Sequence, residues 1–325
     1  MDKIRYFGDR ISQLIGALDF QKEPPELYDP IAYTMNQGGK RLRPLLTLLA
    51  CDLFGGNIEK ALYPALSIEV FHNFTLVHDD IMDKAPLRRG KETVFKKWNP
   101  DIAILAGDTM FALAYTYALK TDAEIVPEIL TVFSKAAIEV CEGQQYDMNF
   151  EQLQSVSIED YINMIRLKTA VLLGASLEIG AICARANTED VRNLYNFGIE
   201  LGIAFQLKDD LLDVYGDTET FGKFKGGDIA ANKKTYLFLK ALEKAGPEQR
   251  DQLQYWFSQP SDRDVELKIN SVKSIFDSIG VQAITEEIMT GYFERSLGFL
   301  SRVEAKTEQK KDLVEFATRL FNRTH

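Results

Sequence analysis

The sequence predicts an all-α fold, and three observations lead to that prediction. Apolar residues recur at helical spacing, as at Ile4, Phe7 and Ile11 near the start of the chain. The apolar segments are long and rich in Ala and Leu, whereas alternating runs of β-branched residues are scarce. Gly and Pro are scattered and no linker-like stretch appears. We therefore expect a single domain over residues 1–325, built as a helical bundle.

Composition narrows the class of function. A net charge of −10 argues against nucleic acid as a partner, because a phosphate backbone calls for a basic face. Cys51, Cys141 and Cys183 are odd in number and far apart, which fits no metal spacing and indicates thiols in a reducing compartment. The first residues do not resemble a signal peptide, and no apolar stretch is long enough to span a bilayer. We expect a cytoplasmic protein without an integral membrane segment.

The first candidate site is the segment GGKRLRP, residues 38–44. Its two glycines allow close backbone approach, and Pro44 is tolerated in the first turn of a following helix. Lys40 and Arg43 then lie beside a helix N-terminus, which favours anions. An ordinary loop with a solvated basic cluster would have the same sequence.

An acidic turn at the end of an apolar helix is the second candidate. Asp79 and Asp83 are four residues apart, so on a helix both carboxylates lie on one face, and His72 falls near the same stripe. Carboxylate oxygens are the ligands that Mg²⁺ prefers, with substrate phosphates completing the shell. Arg88 and Arg89 follow and could hold such phosphates by bidentate hydrogen bonds. The alternative is a helix end with a solvated acidic turn.

Ser157 and Asp160 form an S-x-x-D pattern that predicts the start of another helix. Lys168 and Thr169 lie further along it in an otherwise apolar run. A lysine in this setting either extends to solvent or reaches into a site.

A second acidic cluster begins 130 residues after the first. Asp209 and Asp213 again share one helix face, and Gln206 lies about one turn earlier. Two such helices suggest opposed carboxylate walls that could hold several Mg²⁺ ions around a diphosphate. Lys223 and Lys233 follow in a glycine-containing segment that reads either as a lid over phosphates or as a surface loop.

These motifs, in this order, resemble those of the trans-isoprenyl diphosphate synthases, the polyprenyl synthetase family. The resemblance implies an isoprenoid synthase bundle of helices around a deep central cavity, usually as a homodimer. It also implies head-to-tail condensation of isopentenyl diphosphate with dimethylallyl, geranyl or farnesyl diphosphate. The cofactor implied is Mg²⁺, about three ions per site once diphosphate is bound. The released diphosphate would take the proton lost from the product.

The resemblance also assigns roles to residues. The implied metal ligands are Asp79, Asp83 and Asp209, with direct or water-mediated support from Asp80, Asp210 and Asp213. The residues matching the isopentenyl diphosphate site are Lys40, Arg43, His72 and Arg89. Those matching the allylic diphosphate site are Arg88, Lys168, Thr169, Gln206, Lys223 and Lys233. The implied catalytic set is Asp79, Asp83, Lys168 and Asp209. Gln144 and Asp147 match an element of the cavity wall.

Product length should depend on the residues just before the first aspartates. Phe74 lies about 7–8 Å and Phe71 about 12 Å before Asp79 along a helix, and an extended isoprene unit is about 5 Å long. A phenyl ring there would stop growth after a few units. Phe74 with the small Thr75, and no insertion between Asp79 and Asp83, resembles the geranylgeranyl diphosphate synthases, and a farnesyl diphosphate synthase is the alternative.

Two other classes of protein remain. A non-catalytic subunit of a heteromeric prenyl synthase usually has degraded aspartate motifs, whereas both are intact here. A class I terpene cyclase shares the helical fold and the first cluster, but typically has a different second cluster and lacks the GGKRLRP element. Activity of the purified chain alone would separate the first class from a synthase.

Overall fold

The computed structural model describes residues 3–216, 226–260 and 263–323. Its first half contains α1 (Lys3–Gly16), α2 (Pro25–Met35), α3 (Leu42–Leu53), α4 (Ile58–Met82), β1 (Leu87–Arg88), β2 (Lys91–Glu92), α5 (Val94–Lys97), α6 (Pro100–Ala118) and α7 (Val126–Gln152). Its second half contains α8 (Ile158–Ile165), a π-helix (Arg166–Ala170), α9 (Val171–Cys183), α10 (Thr188–Tyr215), α11 (Gly227–Ala230), α12 (Tyr236–Lys244), α13 (Pro247–Ser258), α14 (Val265–Ile279), α15 (Val281–Arg302) and α16 (Thr307–Phe321). The all-α prediction is confirmed.

The chain divides into two compact units. The first contains Met1–Ala136, Leu172–Tyr195 and Arg302–Phe316, and the second contains Ala137–Val171, Asn196–Ser301 and Ala317–His325. Each unit has its own buried apolar core. The prediction of a single domain stays a prediction.

In the first unit, α4 packs against α3 and α6. It begins where the Asn57 side chain accepts a hydrogen bond from the Glu59 N–H at 3.0 Å, which satisfies one of the open donors at a helix start. It ends just before Asp83, and Lys84, at φ +50°, leaves the helical region. The helix therefore delivers the first acidic cluster at its C-terminal end.

A small hairpin follows this helix. Its strands pair antiparallel, with Leu87 opposite Glu92 and Arg88 opposite Lys91. The turn between them is made by Arg89 and Gly90, both with positive φ, as a type I′ turn requires. The two arginines therefore differ in setting, since Arg88 lies in a strand and Arg89 in the turn.

In the second unit, α8 begins with the capping box that the sequence predicts. The Asp160 N–H donates to Ser157 Oγ at 3.0 Å, and the Ser157 N–H donates to an Asp160 carboxylate oxygen at 3.3 Å. The π-helix comes next and packs closely on α10. Gly202 of α10 permits this contact, since a Cβ there would lie only 2.5 Å from Ala170 Cα.

The later part of the chain forms the helices α12 to α16, as its apolar periodicity predicts. Among all the helices in the described ranges, none combines the length and the apolar character needed to cross a bilayer.

Candidate functional site

The first aspartate cluster has two accessible carboxylates and one buried carboxylate. Asp79 is half-buried, Asp83 is exposed, and they lie one helical turn apart, with the Asp83 N–H 2.8 Å from the Asp79 carbonyl. Asp80 between them is 4 % exposed and accepts hydrogen bonds from Arg88 Nε and a terminal guanidinium nitrogen, both at 2.8 Å. Carboxylates at a helix C-terminus meet the negative end of the helix dipole, so a cation is needed to stabilise them.

The inner aspartate has a perturbed pKa. Burial raises the pKa of Asp80 to about 6, and the charge and hydrogen bonds of Arg88 act in the opposite direction. Asp80 thus ties the helix end to the hairpin through Arg88.

The glycines of the GGKRLRP segment lie against the hairpin turn. Arg89 donates a hydrogen bond to the Gly38 carbonyl. A Cβ on Gly39 would lie only 2.9 Å from the Arg89 guanidinium, and Gly39 has φ +137°, which L side chains rarely adopt. Glycine is therefore required at this position so that the arginine can approach, while Lys40 is exposed beside it.

Arg43 and His72 form a second contact of this site. Arg43 lies in the first turn of α3, with one terminal nitrogen 3.0 Å from His72 Nε2. Because arginine can only donate, His72 Nε2 accepts and its proton resides on Nδ1. Burial, with the nearby charges of Arg43 and Arg89, holds the pKa of His72 well below its usual value. The imidazole is neutral.

The guanidinium of Arg43 is only partly satisfied. Its Nε is buried and has no hydrogen-bond partner among the described residues. Burial lowers the pKa of Arg43 to about 10, opposed by the charge of Glu69, which is itself buried and accepts a hydrogen bond from Asn73 at 3.2 Å. A buried donor without a partner, beside other cations, suits an anionic ligand.

Aromatic rings surround the residues that precede the first cluster. The centroid of Phe71 lies 5.5 Å from that of Phe74 and 5.4 Å from that of Phe133. Phe74 also contacts Phe111 of α6 at 5.2 Å, and Tyr115 contacts Phe133 at 4.9 Å. The two predicted length-determining phenylalanines thus belong to a cluster contributed by α4, α6 and α7.

The second aspartate cluster lies near the end of α10. Asp209 and Asp213 are half-buried, and Asp213 accepts a hydrogen bond from the Asp228 N–H at 3.0 Å. Asp209 accepts a hydrogen bond from Arg323, which follows α16 and has a guanidinium 4.0 Å from the ring centroid of Phe205. A side chain from the end of the described chain therefore supplies positive charge to this cluster.

The inner aspartate of the second cluster is also buried. Asp210 is 3 % exposed and accepts hydrogen bonds from the Tyr161 hydroxyl at 2.5 Å and from Gln206 Nε2 at 3.2 Å. Burial raises the pKa of Asp210 to about 7, and the charge of Asp228 raises it further, whereas the two hydrogen bonds lower it.

The π-helix carries Lys168 and Thr169, and such segments are frequent at functional sites. Lys168 Nζ lies 2.6 Å from an Asp147 carboxylate oxygen, and the Thr169 hydroxyl donates to Gln206 Oε1 at 3.1 Å. Gly143 of α7 allows this approach, because a Cβ there would lie 2.3 Å from the Lys168 backbone nitrogen.

A cavity of about 120 Å³ in the second unit brings predicted site residues together. Its lining includes Lys168, Thr169, Gln206 and Lys233, four of the residues predicted to hold the allylic diphosphate. Lys223, the fifth on this part of the chain, lies outside the described residues.

The donor chemistry fits Mg²⁺ bound together with a substrate. Within the described ranges, no three His, Cys, Asp or Glu side chains converge to hold a metal ion by themselves. Mg²⁺ ordinarily takes one or two protein carboxylates and completes its octahedron with water and substrate phosphates. In the first unit the half-buried Asp79 and the exposed Asp83, and in the second unit the half-buried Asp209, are carboxylates of the kind that Mg²⁺ takes.

Sequence reasoning missed several residues of these sites. Tyr161 falls at an apolar helix position and reads as core, and Phe111 lies in an apolar helix without a motif. Arg323 is 114 residues from Asp209. Only the structure brings these side chains to the residues they contact.

Comparisons with known proteins agree with the motifs. The family model described as polyprenyl synthetase matches residues 24–275. A geranylgeranyl pyrophosphate synthase of Geoglobus acetivorans is 36 % identical over 100 % of this chain and 98 % of its own length. A geranylfarnesyl diphosphate synthase of Aeropyrum pernix is 38 % identical over 91 % of this chain and 94 % of its own.

The crystal structure of a geranylgeranyl pyrophosphate synthase superimposes with a TM-score of 0.95 and 42 % identity, covering 100 % of both chains. The family model spans the glycine and arginine segment, both aspartate clusters and the π-helix. The chain belongs to the polyprenyl synthetase family.

Proposed function

We propose that this chain is a Mg²⁺-dependent trans-prenyltransferase that condenses isopentenyl diphosphate with allylic diphosphates and releases geranylgeranyl diphosphate. The observation that carries the proposal is the pair of aspartate clusters, each with accessible outer carboxylates and a buried, hydrogen-bonded inner one. A solvated acidic helix end would not need a buried partner for its central carboxylate.

In this proposal the first unit holds isopentenyl diphosphate. The residues assigned to it are Lys40, Arg43, His72 and Arg89. The buried Nε of Arg43, which has no hydrogen-bond partner among the described residues, supports this assignment. The hydrogen bond from Arg89 to the Gly38 carbonyl supports it too, because it places a second guanidinium beside the GGKRLRP segment. His72 would offer its Nδ1–H without adding charge.

The allylic diphosphate is assigned to Lys168, Thr169, Gln206, Lys223 and Lys233, together with Arg88 of the first unit. The shared cavity of Lys168, Thr169, Gln206 and Lys233 supports this assignment. Lys168 is proposed to leave Asp147 and to balance charge that develops on the departing diphosphate.

The reaction breaks the allylic C–O bond, forms a C–C bond with the double bond of isopentenyl diphosphate, and loses one proton to the released diphosphate. Bound Mg²⁺ would act as a Lewis acid on the diphosphate oxygens, held by Asp79, Asp83 and Asp209. The lysine and arginine side chains stabilise the leaving diphosphate, and the apolar walls exclude water from the allylic cation.

The aromatic cluster is proposed to set the product length. Phe74 is half-buried and is the aromatic residue of the cluster that comes closest before Asp79 along α4. Thr75 is small and donates its hydroxyl to the His72 carbonyl at 2.8 Å. Phe71 is fully buried behind it and contacts both Phe111 and Phe133. Removing the Phe74 ring should open space for further isoprene units, so Phe74→Ala should lengthen the product.

Geranylfarnesyl diphosphate, one isoprene unit longer, is the second candidate product. It is favoured by the similarity to the Aeropyrum pernix enzyme over most of both chains.

The test is mass analysis of the products formed by the purified chain from isopentenyl diphosphate with dimethylallyl, geranyl or farnesyl diphosphate. Geranylgeranyl diphosphate as the main product supports the proposal, and farnesyl or geranylfarnesyl diphosphate would replace the product assignment. Absence of any prenyl product from the chain alone, with Mg²⁺ present, would favour a non-catalytic subunit.

We also propose a homodimer in the cytoplasm. Ile104 and Leu105 on α6 are 43 % and 58 % exposed, and Leu119 beyond the helix is exposed as well, which is costly unless a partner covers them. Light scattering after size exclusion should give twice the chain mass, and Leu105→Lys should shift it towards the monomer. A monomeric wild-type chain would contradict this part of the proposal.

A further inference from the structure

Tyr161 donates a buried hydrogen bond to the inner aspartate of the second cluster. Its side chain is 4 % exposed, and its hydroxyl lies 2.5 Å from Asp210 Oδ2. The other carboxylate oxygen of Asp210 accepts from Gln206 Nε2 at 3.2 Å. Both oxygens are therefore used by donors from the protein.

The chain of donors continues into the π-helix. The Thr169 hydroxyl donates to Gln206 Oε1 at 3.1 Å, so the amide nitrogen of Gln206 is turned towards Asp210. The bonds run from Thr169 through Gln206 to Asp210, and Tyr161 completes them from α8. This arrangement ties α10 to two neighbouring helical segments at one carboxylate.

A hold on Asp210 would oppose local rotation of α10 about its own axis at the second cluster. Successive residues of an α-helix are about 100° apart, so Asp209 lies about 100° from Asp210 and Asp213 about 60° from it. At a carboxylate about 6 Å from the axis, a rotation of 10° moves the oxygens by about 1 Å. A bound metal tolerates distance errors of only about 0.2 Å, so this rotation has to be fixed.

We propose that Tyr161 is a positioning residue, whose buried hydroxyl holds Asp210 and thereby orients Asp209 and Asp213 towards Mg²⁺ and diphosphate. The proposal rests on the function proposed above. Tyr161 also lines the cavity that contains Lys168 and Gln206, and the role proposed for it is the one exerted through Asp210.

The test replaces the hydroxyl alone, with Tyr161→Phe. Metal binding is measured as the rise in melting temperature caused by inorganic diphosphate over a Mg²⁺ titration, which needs no turnover. Loss of a residue that orients metal ligands costs about tenfold or more in metal affinity, so the Mg²⁺ half-saturation should rise by about that factor. The KM for isopentenyl diphosphate should stay within about twofold, because its assigned residues lie in the first unit, while kcat falls.

Tyr215→Phe is the matched control. Tyr215 lies on α10, the helix that carries the second cluster, and it also donates to an aspartate, Asp277, at 3.0 Å. Its loss should leave the Mg²⁺ half-saturation unchanged. Equal Mg²⁺ half-saturation in Tyr161→Phe and wild type, or equal shifts in the two variants, would overturn the proposal.

A double-mutant cycle tests the route of action. If Tyr161 acts through Asp210, the variant Tyr161→Phe/Asp210→Asn should match Asp210→Asn alone in Mg²⁺ half-saturation, and fully additive effects would overturn the proposal. Asp210→Asn by itself should raise the half-saturation as well, because Asp210 is assigned as support for the metal. If Tyr161→Phe does not fold, Tyr161→Met takes its place in the same comparison, with the same expected rise in half-saturation. Failure of the proposed function would appear separately, as absence of prenyl products from the wild type.

Discussion

The two aspartate clusters have the same spacing but hold their inner carboxylates in different ways. Asp80 is bound by a cation, Arg88, from the hairpin eight residues further along the chain. Asp210 is bound by neutral donors, Tyr161 from 49 residues away and Gln206 from its own helix. The same motif can therefore be anchored locally by charge or at long range by neutral hydrogen bonds, and only the local anchor can be read from the residues next to the motif.

The difference extends to the electrostatics. In both clusters burial is the largest cause of the raised pKa, which is about 6 for Asp80 and about 7 for Asp210. The guanidinium of Arg88 opposes the shift at Asp80, whereas the charge of Asp228 adds to it at Asp210. The ionised form of the second cluster should therefore depend more on its hydrogen bonds and on cations from solution than the ionised form of the first cluster does.

The largest expected effect tests whether both clusters serve the same reaction. Under the proposed function, Asp79→Ala and Asp209→Ala should each lower turnover by about a thousandfold, because each would remove a ligand of the Lewis acid, worth several kcal/mol of barrier. Steady-state product formation measures this, with the exposed Asp251→Ala as the control. If one variant kept wild-type turnover, its cluster would not bind the catalytic metal.

The next largest effect is on the free energy of unfolding, which should distinguish the charged partner of Asp80 from the neutral partner of Asp210. Arg88→Met leaves a buried carboxylate without its cation and should lower the free energy of unfolding by about 3–5 kcal/mol. Tyr161→Phe removes one neutral donor and should cost about 1–3 kcal/mol. Urea unfolding in EDTA measures both, and Arg88→Lys should recover part of the loss. A larger loss for Tyr161→Phe would reverse the comparison.

A smaller effect concerns the tethered cation of the second cluster. Arg323 donates a hydrogen bond to Asp209 in this structure, so Mg²⁺ bound by Asp209, as proposed, would have to compete with it. Arg323→Gln should therefore lower the Mg²⁺ half-saturation by about threefold to tenfold, as expected when a competing state is removed. Arg295→Gln is the matched control, because Arg295 pairs with Glu200 of the same helix at 2.8 Å. Weaker Mg²⁺ binding in Arg323→Gln would mean that this arginine assists the site.

The smallest effect is the pH dependence of stability without metal. Both inner aspartates have pKa values above the ordinary value of about 3.9, so their protonated forms favour folding. The contribution of the protonated carboxyl groups to the free energy of unfolding is complete below about pH 4. It is lost as pH rises through about 6 for Asp80 and about 7 for Asp210.

Urea unfolding between pH 4 and 8 measures whether the free energy of unfolding falls as the pH rises. Asp80→Asn and Asp210→Asn should each flatten the fall in unfolding free energy, and Asp210→Asn should do so up to the higher pH. If the free energy of unfolding fell with pH as steeply in both variants as in the wild type, burial would not raise the pKa of these two aspartates.

Much of this architecture could be predicted from the sequence, because helices and their ends are governed by local rules. The capping box of Ser157 and Asp160 and the end of α4 at the first cluster are examples. The π-helix was not predicted, because the change to i→i+5 hydrogen bonding leaves no clear pattern in an apolar sequence. Tyr161 was missed because a tyrosine on an apolar face reads as core until its hydroxyl partner is known.

The contact between Arg43 and His72 makes one site sensitive to salt but not to acidity. The imidazole stays neutral and the pKa of Arg43 is about 10, so neither group changes charge near pH 7. Attraction to an anion there comes from fixed positive charges, which salt screens over about 10 Å at 0.1 M. If this unit binds a diphosphate as proposed, its retention should therefore weaken as ionic strength rises, and Arg43 and His72 should add no pH dependence of their own near pH 7.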